Sequence, residues 1–109
     1  MNELHEILAS LSLELRRGTI VLSVLSQLGE PQYGYTLVKS LEEKSVSVDT
    51  NTLYPLLRRL EKQGILISEW ETDGNKPRKY YKRTSFGDEV YEKLKKQWLE
   101  LTESMKNLI

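Results

Sequence analysis

Cysteine is absent from this 109-residue chain, which excludes a disulfide framework, thiol catalysis and thiolate metal sites. That composition suits a reducing compartment. Histidine occurs once, at His5 in a terminal segment, so neither an imidazole base nor a metal cluster is expected. No glycine-rich phosphate loop is present, and paired carboxylates such as Glu42-Glu43 have no histidine or cysteine beside them. An enzyme is therefore the weakest reading, and no cofactor or metal is expected. Net charge is lacking too: 16 basic residues balance 16 acidic ones, which counts against a non-specific nucleic-acid binder. No apolar run approaches a membrane span. The segment Met1 to Glu6 lacks the basic start and apolar run of a signal peptide. The expectation is a soluble, cytoplasmic protein.

What the chain has is helical periodicity. Its length fits one compact domain with a small core, a size that often gains stability from a partner subunit. Leu4, Ile7, Leu8, Leu11 and Leu15 recur at steps of three and four, and a first helix is expected over residues 3–11. The segment Arg17 to Leu28 is apolar nearly all round and predicts a central buried helix, ended by Gly29-Glu30-Pro31. Pattern alone does not say whether Gly18 separates these two stretches. A third helix opens at Tyr33-Gly34-Tyr35-Thr36, with Tyr35, Leu37, Val38 and Leu41 as its expected buried side. Val46-Ser47-Val48 alternates and predicts a short strand. Asp49 is a good N-cap for a fourth helix running to about Gln63, with Gly64 just past its end.

Ile65 to Glu71 then reads as a strand, Thr72 to Pro77 as a turn centred on Asp73-Gly74, and Arg78 to Thr84 as the returning strand. From Ser85 the chain is helical to near its end. The order predicts a mainly α fold with a two-stranded β wing: a winged helix-turn-helix plus a C-terminal dimerisation helix. Residues 1–84 form the expected DNA-binding domain and 85–109 the dimerisation helix.

At about 100° per residue, Leu53, Leu56, Leu57 and Leu60 of the fourth helix share one sector, while Asn51, Pro55, Arg58 and Lys62 share the opposite one. Tyr54 and Arg59 flank that exposed stripe. A recognition helix presents its N-terminal residues to base edges. Thr50, Asn51 and Thr52 are short hydrogen-bonding side chains suited to this, and Asn pairs bidentately with adenine. Arg58, Arg59 and Lys62 lie further along, where cations grip phosphates and set position. Alone, such cations are more often a solvated face. If the helix begins at Asp49, Pro55 sits one turn in and distorts it.

The hairpin shifts the balance. Between Lys76 and Arg83 lie five cations and no acid. At a wing tip, Asn75, Lys76, Arg78 and Lys79 would neutralise phosphates in a salt-dependent way. The bland alternative is a positive run that blunts an exposed strand edge. Tyr80 and Tyr81 point to opposite faces, one expected to pack on Trp70 and the other to be free for contact.

These residues resemble the PadR family of bacterial transcriptional regulators. The motifs are Tyr33-Gly34-Tyr35; Thr52-Leu53-Tyr54-Pro55 with Leu57, Arg59-Leu60-Glu61 and Gly64; and Arg78-Lys79-Tyr80-Tyr81 with Thr84 and Gly87. The resemblance covers roughly Gly18 to Gly87. It implies a dimeric repressor that binds a double-stranded operator of dyad symmetry through its recognition helix and wing. Carried over, the DNA contacts are Thr50, Asn51, Thr52, Tyr54, Arg58, Lys62, Lys76, Arg78 and Lys79; Tyr35 and Lys39 of the preceding helix complete the candidate set. The chain departs from the usual pattern at Asn51, where many members have glycine, and at Arg83, where an apolar residue is usual.

In the last helix Tyr91, Leu94, Trp98, Leu101, Met105 and Leu108 form an a/d stripe that needs a partner. With Leu4, Ile7, Leu8 and Leu11 it makes the expected homodimer interface. Trp98 is first an ordinary interface anchor. Resemblance to the short, multidrug-binding repressors of the family implies a sharper role, in which paired indoles, with Leu94 and Leu101 beside them, hold a small planar aromatic effector that relieves repression. A reading from another class also stands: a winged-helix protein-interaction module that uses its Tyr and Trp residues on a protein partner and ignores DNA.

Overall fold

The leucine spacing of the fourth helix organises the fold. In a computed structural model describing residues 2–109, that helix spans Thr50–Lys62, and Leu53, Leu56, Leu57 and Leu60 are all buried. Met1, the first residue of the expected DNA-binding domain, lies outside the described residues. The elements in chain order are α1 (Glu3–Arg17), α2 (Ile20–Ser26), β1 (Gln32–Tyr33), α3 (Gly34–Glu43), α4 (Thr50–Lys62), β2 (Leu66–Glu71), β3 (Arg78–Arg83) and α5 (Ser85–Leu108). Around the α4 leucines gather Val24 and Leu25 of α2, Leu28, Leu37 and Leu41 of α3, Val48, Leu66 and Tyr81. No described buried side-chain polar atom lacks a partner.

Several local expectations hold. The Asp49 carboxylate accepts from the Thr52 amide at 2.9 Å and caps α4. Gly64 adopts φ +78°, the left-handed conformation that ends the helix. Pro55 lies inside α4, yet the helix is continuous across it; the missing N–H leaves only the Asn51 carbonyl without its helical donor.

Other expectations are corrected. The first helix runs to Arg17, well beyond residue 11, and Gly18-Thr19 separates it from α2. Val46 to Val48 is not a strand. The Val46 amide donates to the Leu41 carbonyl at 2.8 Å, which closes α3 through Ser45 at φ +66°, and Val48 is buried in the core. Beyond the wing's two strands there is a third, β1, so the sheet is antiparallel with order β1-β3-β2. Tyr35 is 62% exposed, because the buried face of α3 is set by Gly34, Leu37 and Leu41 and Tyr35 lies about 100° around the helix from Gly34. Trp70 faces Lys79 across the ladder and is 63% exposed. Tyr80 instead packs edge-on against Tyr33 of β1, with centroids 5.3 Å apart, and Tyr81 enters the core.

Arg83 brings a charge to a position where packing was expected, and the structure accommodates it. Its guanidinium donates to the Leu25 carbonyl, pairs with Asp88 at 2.8 Å and stacks on the Tyr91 ring at 4.3 Å. Thr84 caps α5 by accepting from the Gly87 amide at 2.9 Å. Gly87 is needed there because a Cβ would collide with the Ile65 carbonyl.

Candidate nucleic-acid interface

α4 turns its leucines inward and therefore shows Thr50, Asn51, Thr52, Arg58, Arg59 and Lys62 to solvent. None of these six cations and polar groups is buried. The hydroxyl of Tyr54 lies against Gly34, where any Cβ would strike it, so the phenol is laid across the start of α3. On α3 itself, Tyr35 and Lys39 are exposed, with the ammonium 5.8 Å from the Tyr35 ring centroid.

The wing stands beside α4. Lys76 is exposed in the loop between β2 and β3. The Arg78 guanidinium lies 4.9 Å from the Tyr33 ring and donates to the Tyr33 hydroxyl at 3.1 Å, so it is held by stacking and a hydrogen bond but not by an acid. Lys79 differs. It is half-buried, 3.5 Å from the Glu61 carboxylate of α4 and 5.3 Å from the Tyr81 ring. Partial burial works to lower its pKa, but Tyr81 and Glu61 outweigh that and hold it above the ordinary lysine value. Glu61 in turn accepts from the Ser68 hydroxyl of β2. The pair Lys79–Glu61 thus links wing to helix. Burial first, and Glu71 second, hold the Tyr80 pKa above its ordinary value.

Between the two elements runs a cleft of about 400 Å³, walled by Tyr54 and Arg58 of α4, Trp70, Arg78 and Lys79 of the wing, and Tyr35 of α3. The expected recognition helix and wing therefore share one surface. Two of its residues escaped the sequence reading. Tyr33 was seen only as part of a motif, since its role depends on a two-residue strand. Trp70 was assigned to packing, although its register opposite Lys79 places it on the face turned toward α4.

The second expected site lies on α5. Trp98 is 41% exposed and, with Tyr91 and Lys95, lines a shallow groove of about 380 Å³ against Leu22, Ser23 and Ser26 of α2. Tyr91 is held between Arg83 and Lys95, whose ammonium is 5.4 Å from its ring. Leu94 is half-buried against the core, while Leu101, Met105 and Leu108 are exposed. Leu4, Ile7, Leu8 and Leu11 of α1 are also exposed, and no described residue of α1 is buried. Among the described residues no group of His, Asp or Glu is arranged for a metal ion. Among the described residues no helix is long and apolar enough to cross a membrane.

Comparison with known proteins agrees with this architecture. Residues 21–93 match the transcriptional regulator PadR-like family. A PadR family transcriptional regulator from Eggerthella lenta is 50% identical, covers 99% of this chain and 93% of its own, and superposes with a TM-score of 0.90. A PadR-like transcription factor from Bacteroides fragilis is 33% identical over 92% of this chain and 99% of its own, with a TM-score of 0.76. A transcriptional regulator of Mycobacterium tuberculosis is 32% identical over 68% of this chain and 70% of its own length. The chain belongs to the PadR-like family, whose members are DNA-binding transcriptional regulators with a winged helix-turn-helix and not enzymes.

Proposed function

We propose that this regulator is a homodimeric repressor that binds a palindromic operator, reading bases with the start of α4 and holding phosphates with the rest of α4 and the wing. The observation that carries it is the convergence of Arg58 and Arg78 on one cleft, with Lys62 and Lys76 exposed on the same two elements. In this reading Thr50, Asn51 and Thr52 meet base edges. Tyr35, Lys39, Tyr54, Arg58, Lys62, Lys76 and Arg78 position the duplex, while Lys79, on the same surface, is engaged by Glu61 and adds little. Support for a dimer is the exposed apolar stripe of Leu4, Ile7, Leu8 and Leu11 on α1 and of Leu101, Met105 and Leu108 on α5, continued inward by Trp98, Leu94 and Tyr91. A two-fold pair then sets two α4 helices into successive major grooves. The test is a footprint on duplexes selected from a random pool. A short palindrome should be protected by wild type and not by the double variant Lys76→Glu with Arg78→Glu; equal protection by both refutes the interface.

The groove at Trp98 supports an effector role as well. A small planar aromatic would stack on the indole and relieve repression by rotating the two recognition helices apart. The probe is anilinonaphthalene sulfonate. Its emission should rise with wild type and not with Trp98→Ala, and saturating probe should weaken operator binding. Operator affinity unchanged at saturation refutes the effector role.

A further inference from the structure

Trp70 is not explained by folding. It sits on a two-stranded ribbon with 63% of its surface exposed, although burying a large aromatic is among the most favourable choices open to a small core. Its strand position explains why it stays out. Leu66, Ser68 and Trp70 share the face of β2 turned toward α4, and burial falls steadily along that face as the ribbon leaves the core. The indole lines the cleft together with Arg58, Tyr54 and the Tyr33-held Arg78.

Geometry says what crosses that cleft. With α4 in the major groove and the wing over the neighbouring minor groove, the sugar-phosphate strand that separates the two grooves must pass between them. Resting on the proposed DNA-binding reading, we infer that the α4–wing cleft is a clamp for this strand, and that Trp70 is a DNA-contact residue within it. An indole offers an apolar face for the deoxyribose and a single N–H, a donor with no acceptor capacity, for a phosphate oxygen. Arg58 supplies charge from the helix side and Arg78 from the wing side. Lys79, at the base of the cleft, is already engaged by Glu61. Lys79 is therefore left out of the contact, and the phosphate is met by the two arginines and the indole. Because the contact is to backbone, Trp70 contributes affinity and register equally on every sequence and does not choose bases.

The test pairs variants with single methylphosphonate substitutions, which remove one phosphate charge at a time from a duplex selected by wild type. One phosphate in each half-site should be found whose neutralisation weakens wild type about ten-fold and weakens Trp70→Ala only about three-fold, the remaining loss coming from the two arginines. Trp70→Phe, which keeps the ring and loses the N–H, should fall between them at that phosphate only. Thermal melting should show all three proteins equally folded, as expected of a side chain this exposed. Additive losses at every phosphate, or Trp70→Ala binding as tightly as wild type, overturn the clamp while leaving the regulator reading intact. Failure of wild type to select any duplex overturns both.

Discussion

Lys76 and Lys79 are three residues apart on the same hairpin and carry the same charge, yet their surroundings differ in a way that should divide their contributions to the proposed DNA binding. Lys76 is exposed, whereas Lys79 is paired with Glu61 at 3.5 Å. Of the residues of α4 and the wing proposed above to position the duplex, four exposed cations have no described acid partner: Arg58, Lys62, Lys76 and Arg78. If each meets one phosphate in a two-fold dimer, log affinity should fall against log salt with a slope of about −7. Between about 50 and 200 mM salt, wild type then loses roughly 10⁴-fold in affinity. Lys76→Ala removes two phosphate contacts from the dimer and should flatten the slope by about 1.8, so that the same salt step costs only roughly 10³-fold. Lys79→Ala removes a cation already neutralised by its neighbour and should change the slope by less than half as much as Lys76→Ala. Fluorescence anisotropy on a labelled operator across that salt range separates the two. Equal slope changes for both variants would refute the argument, because they would mean that the Glu61 pair does not withhold Lys79 from the duplex.

Glu61→Gln should do the opposite of these losses. It keeps an oxygen for the Ser68 hydroxyl, releases Lys79, and should raise operator affinity about three- to ten-fold at low salt, an effect that fades as salt screens it; its cost in melting should stay within about 1 kcal/mol, as for a partly exposed pair. Ser45→Gly relieves a left-handed backbone at φ +66° and should stabilise the domain by about 1 kcal/mol in urea unfolding, with DNA binding unchanged. Arg83→Met removes a charge-assisted hydrogen bond to the Leu25 carbonyl and the stack on Tyr91, and should destabilise by about 2 kcal/mol in the same assay; a neutral or stabilising result would show that the apolar residue usual in the family serves this chain equally well.

The parts of this structure that were legible in the sequence are those set by neighbours along the chain. The α4 leucines declare their face because a helix repeats every few residues, and Asp49 and Gly64 mark its ends because caps are local chemistry. The hairpin follows from two β-rich runs around Asp73-Gly74. What was missed depends on distant partners. β1 has only two residues, and Gln32 and Tyr33 are a strand solely because Tyr81 and Tyr80 of β3 lie opposite them. Val46 to Val48 alternates as a strand should, but the Val46 amide is consumed in closing α3 and no edge is left to pair with. Charge was readable as a run from Lys76 to Arg83, yet its division was not. Arg83 turns inward to α2 and α5, Lys79 goes to Glu61, and Lys76, Arg78 and Lys82 remain on the surface without a described acid partner.

That division has a mechanical side. The root of the wing is fastened at three points to its surroundings. The Arg83 amide donates to the Leu28 carbonyl at 2.9 Å, the Thr84 hydroxyl donates to the Gly64 carbonyl at 2.7 Å, and Gly87 packs directly on the Ile65 carbonyl. These contacts bind β3 and the first turn of α5 to the ends of α2 and α4, so a shift of α5 relative to the wing would break these hydrogen bonds and this packing at once. α1 has no buried residue to hold it to the same body. In the proposed dimer, a molecule arriving at the Trp98 groove therefore has little room to bend one protomer. In that proposal it would act by changing how α5 and α1 of one copy seat against the other, and the wing, α4 and the cleft between them would turn together as that seating changes. The spacing of the two clamps on the duplex would then carry the signal, while the geometry inside each clamp would not change.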